Sequence, residues 1–222
     1  IYPINIKKNK MNDDIKIIFM ASIKLETNEE EFLFWKTHKE KILSNFAILD
    51  DKYFWQNNLA NKNLFEINRF YRITKSLLRF EIVTYLKKIY DKKFVLIGED
   101  WRKYSIDSLK SDYDTKKNKK IYKGNICLDT GSLEGSSSLY PRANQIIESG
   151  GLIVQNYAFD ASEHWKDLKQ DLLFKNFDEL RNIIDKLINN LKLSNILLDK
   201  ISKHFKNSNI SMEETLNKYF SK

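Results

Sequence analysis

Apolar residues follow two rhythms along this chain. Short continuous runs, rich in β-branched residues, occupy positions 15–22, 94–98, 126–129 and 152–155, with a briefer run at 172–174. Runs of that length suit buried strands. Between them, apolar residues recur at helical spacing. Thr27 or Asn28 offers a helix N-cap before Glu29, Glu30 and Glu31, and Phe32, Trp35 and Ile42 continue that pattern to position 44. A long helical stretch covers 65–90, and Phe177, Leu180, Ile184, Leu187 and Leu191 mark an amphipathic helix. Two more helices are expected over 194–205 and 211–220. The aromatic, Asn-rich stretch 46–63 reads as irregular, and 102–120 as a polar, lysine-rich region.

Strands that alternate with helices predict an α/β fold: a Rossmann-like, mainly parallel sheet with flanking helices. The expected organisation is an arm over 1–14 and a single domain over 15–222, with a helical insertion at 46–90. Arg69, Arg72, Lys75 and Arg79 follow one another at three- and four-residue steps, so they share a helix face. That face is either solvated or an anion-facing basic stripe.

Glycine usage singles out one region. All six glycines lie between Gly98 and Gly151, and so does Pro141, one of two prolines. Residues 125–155 read as strand, glycine-serine loop, helix, tight turn and strand. In open α/β sheets, ligands bind beyond the carboxyl ends of the strands, where this loop falls. Pro141 suits the first helical position, and free N–H groups at a helix start favour an anion. Gly131 and Gly135 let the backbone approach a ligand, Ser136, Ser137 and Ser138 add hydroxyl donors, and Gly98 ends a strand at the same edge. Arg142 in the first turn opposes the helix dipole, a cost that a bound anion offsets.

Charge adds a constraint on partners. The net charge is +8, but the basic residues are mostly lysines spread along the whole chain among Asn and Ile. No helix-turn-helix, zinc-finger or aromatic RNA-binding motif accompanies them, so a nucleic-acid partner is not expected. An anionic small ligand such as a nucleotide diphosphate suits the charge. The single Cys127 excludes an internal disulfide, and no His/Cys spacing marks a metal site, so no metal is expected. Asp112-Tyr-Asp114 has the form of a metal-holding Asp-x-Asp motif but lacks the apolar strand that would precede it. No apolar run approaches the ~18 residues of a membrane span, and the first residues lack a signal-peptide pattern. The expected location is cytoplasmic, or peripheral at the inner membrane surface. His38, His164 and His204 are candidate bases by residue type, with His164 the best placed because it follows the fourth strand. A surface or core role is the plainer reading for all three.

The segment Tyr140-Pro-Arg-Ala-Asn-Gln-Ile-Ile-Glu-Ser-Gly-Gly-Leu-Ile-Val-Gln155 resembles the donor-site segment of GT-B glycosyltransferases. It is most similar to the spore-maturation glycosyltransferase-like (CgeB-like) group. Arg142 matches the family arginine and Gly150 its glycine, while Gln145 stands where the family has a ribose-binding Glu. Glu148, three residues on, is a candidate substitute. Ser137 stands where retaining relatives carry a second Glu. Leu172-Leu-Phe-Lys-Asn-Phe-Asp-Glu-Leu-Arg181 is similar to the family stretch before the final helices.

The resemblance implies a nucleotide-diphosphate sugar as donor, held by the loop glycines and serines, Tyr140, Arg142 and Gln145, and a glycan, lipid or protein acceptor. A complete enzyme of this type has two such domains, with the acceptor bound mainly by the first, so the resemblance implies either that an N-terminal acceptor domain is missing from this chain or that the protein does not work alone. A non-catalytic nucleotide or sugar-phosphate module, and a basic nucleic-acid-binding domain, are the alternative readings.

Overall fold

A computed structural model describes residues 9–111, 115–131 and 141–208. Five strands form its sheet: β1 (Ile17–Met20), β2 (Phe94–Ile97), β3 (Ile126–Asp129), β4 (Leu152–Asn156) and β5 (Leu173–Phe174). Their order is β2-β1-β3-β4-β5, and every pairing is parallel. Ile17 is in register with Phe94 on one side and Ile126 on the other, and Ile126 with Leu152. The expected α/β architecture with a parallel sheet is the one found. Strands buried on both faces need apolar residues at every position, which is why these runs are continuous rather than alternating.

Nine helices are described. They are α1 (Glu29–Ser44), α2 (Lys52–Asn58), α3 (Leu64–Tyr90), α4 (Thr115–Tyr122), α5 (Pro141–Glu148), α6 (Phe159–Trp165), α7 (Lys169–Leu172), α8 (Phe177–Asn189) and α9 (Leu191–Ser208). The chain steps one way from β1 to β2, then back past β1 to β3. Right-handed crossovers in opposite directions put their helices on opposite faces. The contacts divide accordingly. α1 packs on α3 and α3 on β2, whereas α4 packs on α5, α5 on α9 and α9 on β4.

α3 fixes the shape of the carboxyl end of the sheet. Its 27 residues extend about 40 Å. The four residues of β2 cover only about 13 Å. The helix ends at Tyr90, just before β2 begins, so its excess length overhangs the carboxyl edge of the sheet. The overhang is held by aromatic packing. Phe34 of α1 stacks on Trp55 of α2 at 5.7 Å and meets Phe70 of α3 edge-on at 5.3 Å. Asn28 and Asn63 close capping boxes with Glu31 and Glu66, which sets the starts of α1 and α3.

One local expectation is corrected, and two helices appear where none was expected. Residues 46–63 are not irregular: a 3₁₀ turn (Phe46–Asp50) leads into α2, which Asp51 caps by accepting the Tyr53 N–H at 2.8 Å. Short capped turns replace a long apolar period there. The lysine-rich region contains α4, and α6 follows β4 without a strong apolar stripe to announce it. The helix expected over 211–220 lies outside the described residues. Within them, no helix is long and apolar enough to cross a membrane.

Gly98 has a packing role. A Cβ on it would fall 2.0 Å from the carbonyl oxygen of Ala21 at the end of β1. Its N–H also donates to Leu109, whose own N–H donates to Leu96, so a returning loop covers the β2 edge. Gly98→Ala should therefore cost roughly 1–3 kcal/mol, as overpacking against backbone does. Urea denaturation checks this, and an unchanged midpoint would refute the close-packing role.

Candidate functional site

β3 ends on a charge. Asp129 is fully buried, and its two carboxylate oxygens are held separately. Oδ1 accepts the Gly131 N–H at 3.1 Å, and Oδ2 accepts Gln155 Nε2 at 3.1 Å. Gln155, at the matching position of β4, in turn accepts the Trp165 indole N–H at 2.6 Å. This relay ties α6 to the ends of β3 and β4. Gly131 turns the chain out of the strand with φ +71°, a left-handed conformation that favours glycine.

The overhang of α3 brings cations onto this corner. Lys75 and Arg79 precede the helix end by about 22 and 16 Å of helix rise, which carries them beyond the length of β2. Arg79 is buried. Its Nε donates to Thr130 Oγ1 at 2.9 Å and its Nη2 to the Gly131 carbonyl at 2.6 Å. Lys75 is also buried, with Nζ 5.0 Å from the Tyr71 ring centroid. That ammonium lies 3.8 Å from where a Cβ on Gly131 would stand.

Desolvation dominates the electrostatics of this corner. Burial pulls the Lys75 ammonium down to about 8, against the attraction of Asp50 and Asp129, and Arg79 adds to the fall. Burial also pushes the Asp50 carboxyl up to about 6, against the pull of Lys75. Both charges are thus shifted against ionisation although they attract each other: the local attraction falls short of the desolvation cost. Tyr71 is pushed up by the same burial and by Asp50, and its hydroxyl is buried without a hydrogen-bond partner among the described residues.

A third cation stands on the other face. Arg142 lies in the first turn of α5, and its Nη1 is buried with no partner among the described residues. Its charge opposes the rise that burial imposes on Tyr122, which still reaches about 12. The Tyr122 hydroxyl donates to Met20 Sδ at 3.1 Å, at the carboxyl end of β1. The strand order reverses between β1 and β3, and the crevice at such a switch point is where open α/β sheets take ligands.

The residues singled out in the sequence fall unevenly around this crevice. Gly131 and Arg142 are brought to it. Gly135, Ser136, Ser137, Ser138 and Tyr140 lie outside the described residues, as do Asp112 and Asp114. Gln145 sits one turn into α5, its carbonyl accepting both the N–H and the hydroxyl of Ser149. Glu148 is the last residue of α5, about 10 Å of helix rise from Pro141, and faces Lys119 at 3.9 Å. Gly98 packs on Ala21.

The histidines are engaged elsewhere. His38 packs between Phe34 and Phe54. His164 meets the rings of Trp165 and His204, and burial followed by the His204 charge lowers its pKa. The basic stripe of α3 divides: Arg69 and Arg72 are exposed, with Arg69 on Glu31 at 2.5 Å, whereas Lys75 and Arg79 turn inward.

Sequence reasoning missed Asp129, Thr130, Gln155, Trp165 and Asp50. One signal was present: polar residues closing two otherwise apolar strands, Asp129 and Gln155, at matching positions. Among the described residues, no group of three or more His, Cys, Asp or Glu side chains is placed to hold a metal. Compared with family models, with curated proteins and with solved structures, the chain gives no match in any of the three.

Lys75 makes the electrostatics testable. Unfolded, it keeps its proton to about 10.5; folded, it releases it near 8. Between those values the unfolded state binds more protons, so this group's contribution to stability rises with pH. The stability difference between the wild type and Lys75→Met should therefore shift in the wild type's favour from pH 8 to 10.5. A difference that stays flat over that window would refute the buried, depressed lysine.

Proposed function

We propose that the switch-point crevice holds the diphosphate of a nucleotide sugar, and that the chain is the donor-binding half of a GT-B-type glycosyltransferase. The observation that carries this reading is the gathering of Lys75, Arg79 and Arg142 from both faces of the sheet around the carboxyl ends of β1 and β3. The Lys75 ammonium, already depressed by burial, would recover its full charge beside a dianion. The resemblance of residues 140–155 to a donor-site segment supplies the nucleotide sugar as the particular anion.

In such a transfer the bond between the anomeric carbon and the phosphate oxygen breaks, and an acceptor hydroxyl forms the new bond. Negative charge grows on the departing nucleoside diphosphate. Cations fixed in a dry corner stabilise that growth without reorganising. Arg79 holds the start of the loop after β3 through Thr130 and Gly131. Lys75 and Arg142 supply charge from either side. The acceptor's proton needs a base from the acceptor half, since His38 and His164 pack against other rings.

One feature favours a binding module without turnover. Gln145 carries no charge, and Glu148 faces Lys119 at the far end of α5. Turnover of a nucleotide sugar by the full-length protein separates the two readings.

Ligand binding is checked by thermal shift against UDP-, GDP-, CMP- and ADP-sugars, since a ligand that binds only the folded state raises the melting temperature. At least one should raise it, and Arg142→Ala should weaken that ligand about tenfold or more, the worth of a charge-assisted contact. No shift with any of the four, or an undiminished shift in Arg142→Ala, would overturn the assignment.

A further inference from the structure

A second opening lies further along the same end of the sheet. Tyr157 follows β4 and Lys175 follows β5; with Lys169, Gln170 and Asn182 they line a cavity of 460 Å³ floored by Leu173. A neighbouring cavity of 490 Å³ shares Ser162, Lys169 and Gln170 with it and continues past Lys166 and Asp167. The two make one trench along α6 and α7. Each is within the size range of small-ligand sites.

The lining has a definite chemistry. Neither the Lys169 nor the Lys175 ammonium is in an ion pair among the described residues. Glu179 is the one carboxylate on the 460 Å³ cavity, and it is committed: its Oε2 accepts the Lys175 backbone N–H at 2.7 Å in the first turn of α8. Lys175 Nζ is held 4.3 Å from the Tyr157 ring centroid. A cation resting on an aromatic face is placed without being neutralised. Gln170 and Asn182 are exposed amides, each with a donor and an acceptor side by side, which suits adjacent hydroxyl groups. Leu173 is buried beneath them and gives an apolar surface for C–H groups.

We propose that this trench binds an acidic saccharide. A carboxylate or phosphate on one sugar unit sits between Lys169 and Lys175, and its hydroxyls meet Gln170 and Asn182. The adjoining unit runs over Ser162 towards Lys166. The site uses none of the residues of the switch-point crevice, so it stands or falls separately from the nucleotide-sugar reading.

Calorimetric titration of the chain with glucuronate, glucose 6-phosphate, glucose and inorganic phosphate tests it. At least one of the two acidic sugars should bind about tenfold or more tightly than glucose, and more tightly than inorganic phosphate. Whichever acidic sugar binds shows whether the anion is carboxylate or phosphate. Replacing both lysines (Lys169→Met with Lys175→Met) should remove that preference, and Asn182→Ala should weaken binding several-fold. Both lysines and Asn182 lie on the cavity surface, and an unchanged melting temperature confirms that each variant is folded. Arg142→Ala should leave acidic-sugar binding unchanged. Acidic sugars that bind no better than glucose or than phosphate alone would overturn the proposal. So would binding that survives loss of both lysines, or that is lost with Arg142.

Discussion

The carboxylate of Asp129 is the constraint around which the carboxyl end of this protein is arranged. A charge wholly removed from water at the end of a central strand must be met by donors and by opposite charge, or its burial would cost several kcal/mol. Gly131 answers from the turn that follows and Gln155 from the neighbouring strand. Trp165 fixes the Gln155 amide in turn, and Lys75 adds charge from above. Each donor comes from a different part of the chain, so this one requirement locks together β3, β4, α3 and α6.

α3 makes that arrangement possible through its length. A helix matched to the strands would end its covering role at the sheet edge. This one continues past it, and α1 and α2 hold the overhang through Phe34, Trp55 and Phe70. Its inward face changes character along its course. Near the sheet it presents Ile82, Val83 and Leu86, and beyond the edge Lys75 and Arg79. The apolar part supplies the burial that stabilises the fold. The basic part carries its charge into a place where burial disfavours it.

The same end of the sheet offers two separate chemistries. At the β1–β3 reversal, cations from both faces surround a tight, polar corner. At the β4–β5 margin, a trench presents amides, an aromatic ring and two lysines over an apolar floor. Helix α6 lies between them, with Trp165 joined to the first and Ser162 lining the second.

Much of the fold could be read along the chain. β3 begins and ends where its apolar run does, and α1 starts after the Asn28 cap, because strand burial and helix capping act over a few neighbouring residues. Pro141 opening α5 and Gly131 turning out of β3 were legible for the same reason. α2 was not, since its aromatic residues face partners on α1 and α3 that no local period reveals. Nor was the division of the α3 stripe. Arg69, Arg72, Lys75 and Arg79 are equivalent by spacing, and only the position of the sheet edge decides which two are buried. The sequence by itself determined the five strands and the helices α1, α3 and α8. The tertiary structure decided which charges meet at the carboxyl edge of the sheet, because desolvation depends on what lies across the gap and not on what lies next along the chain.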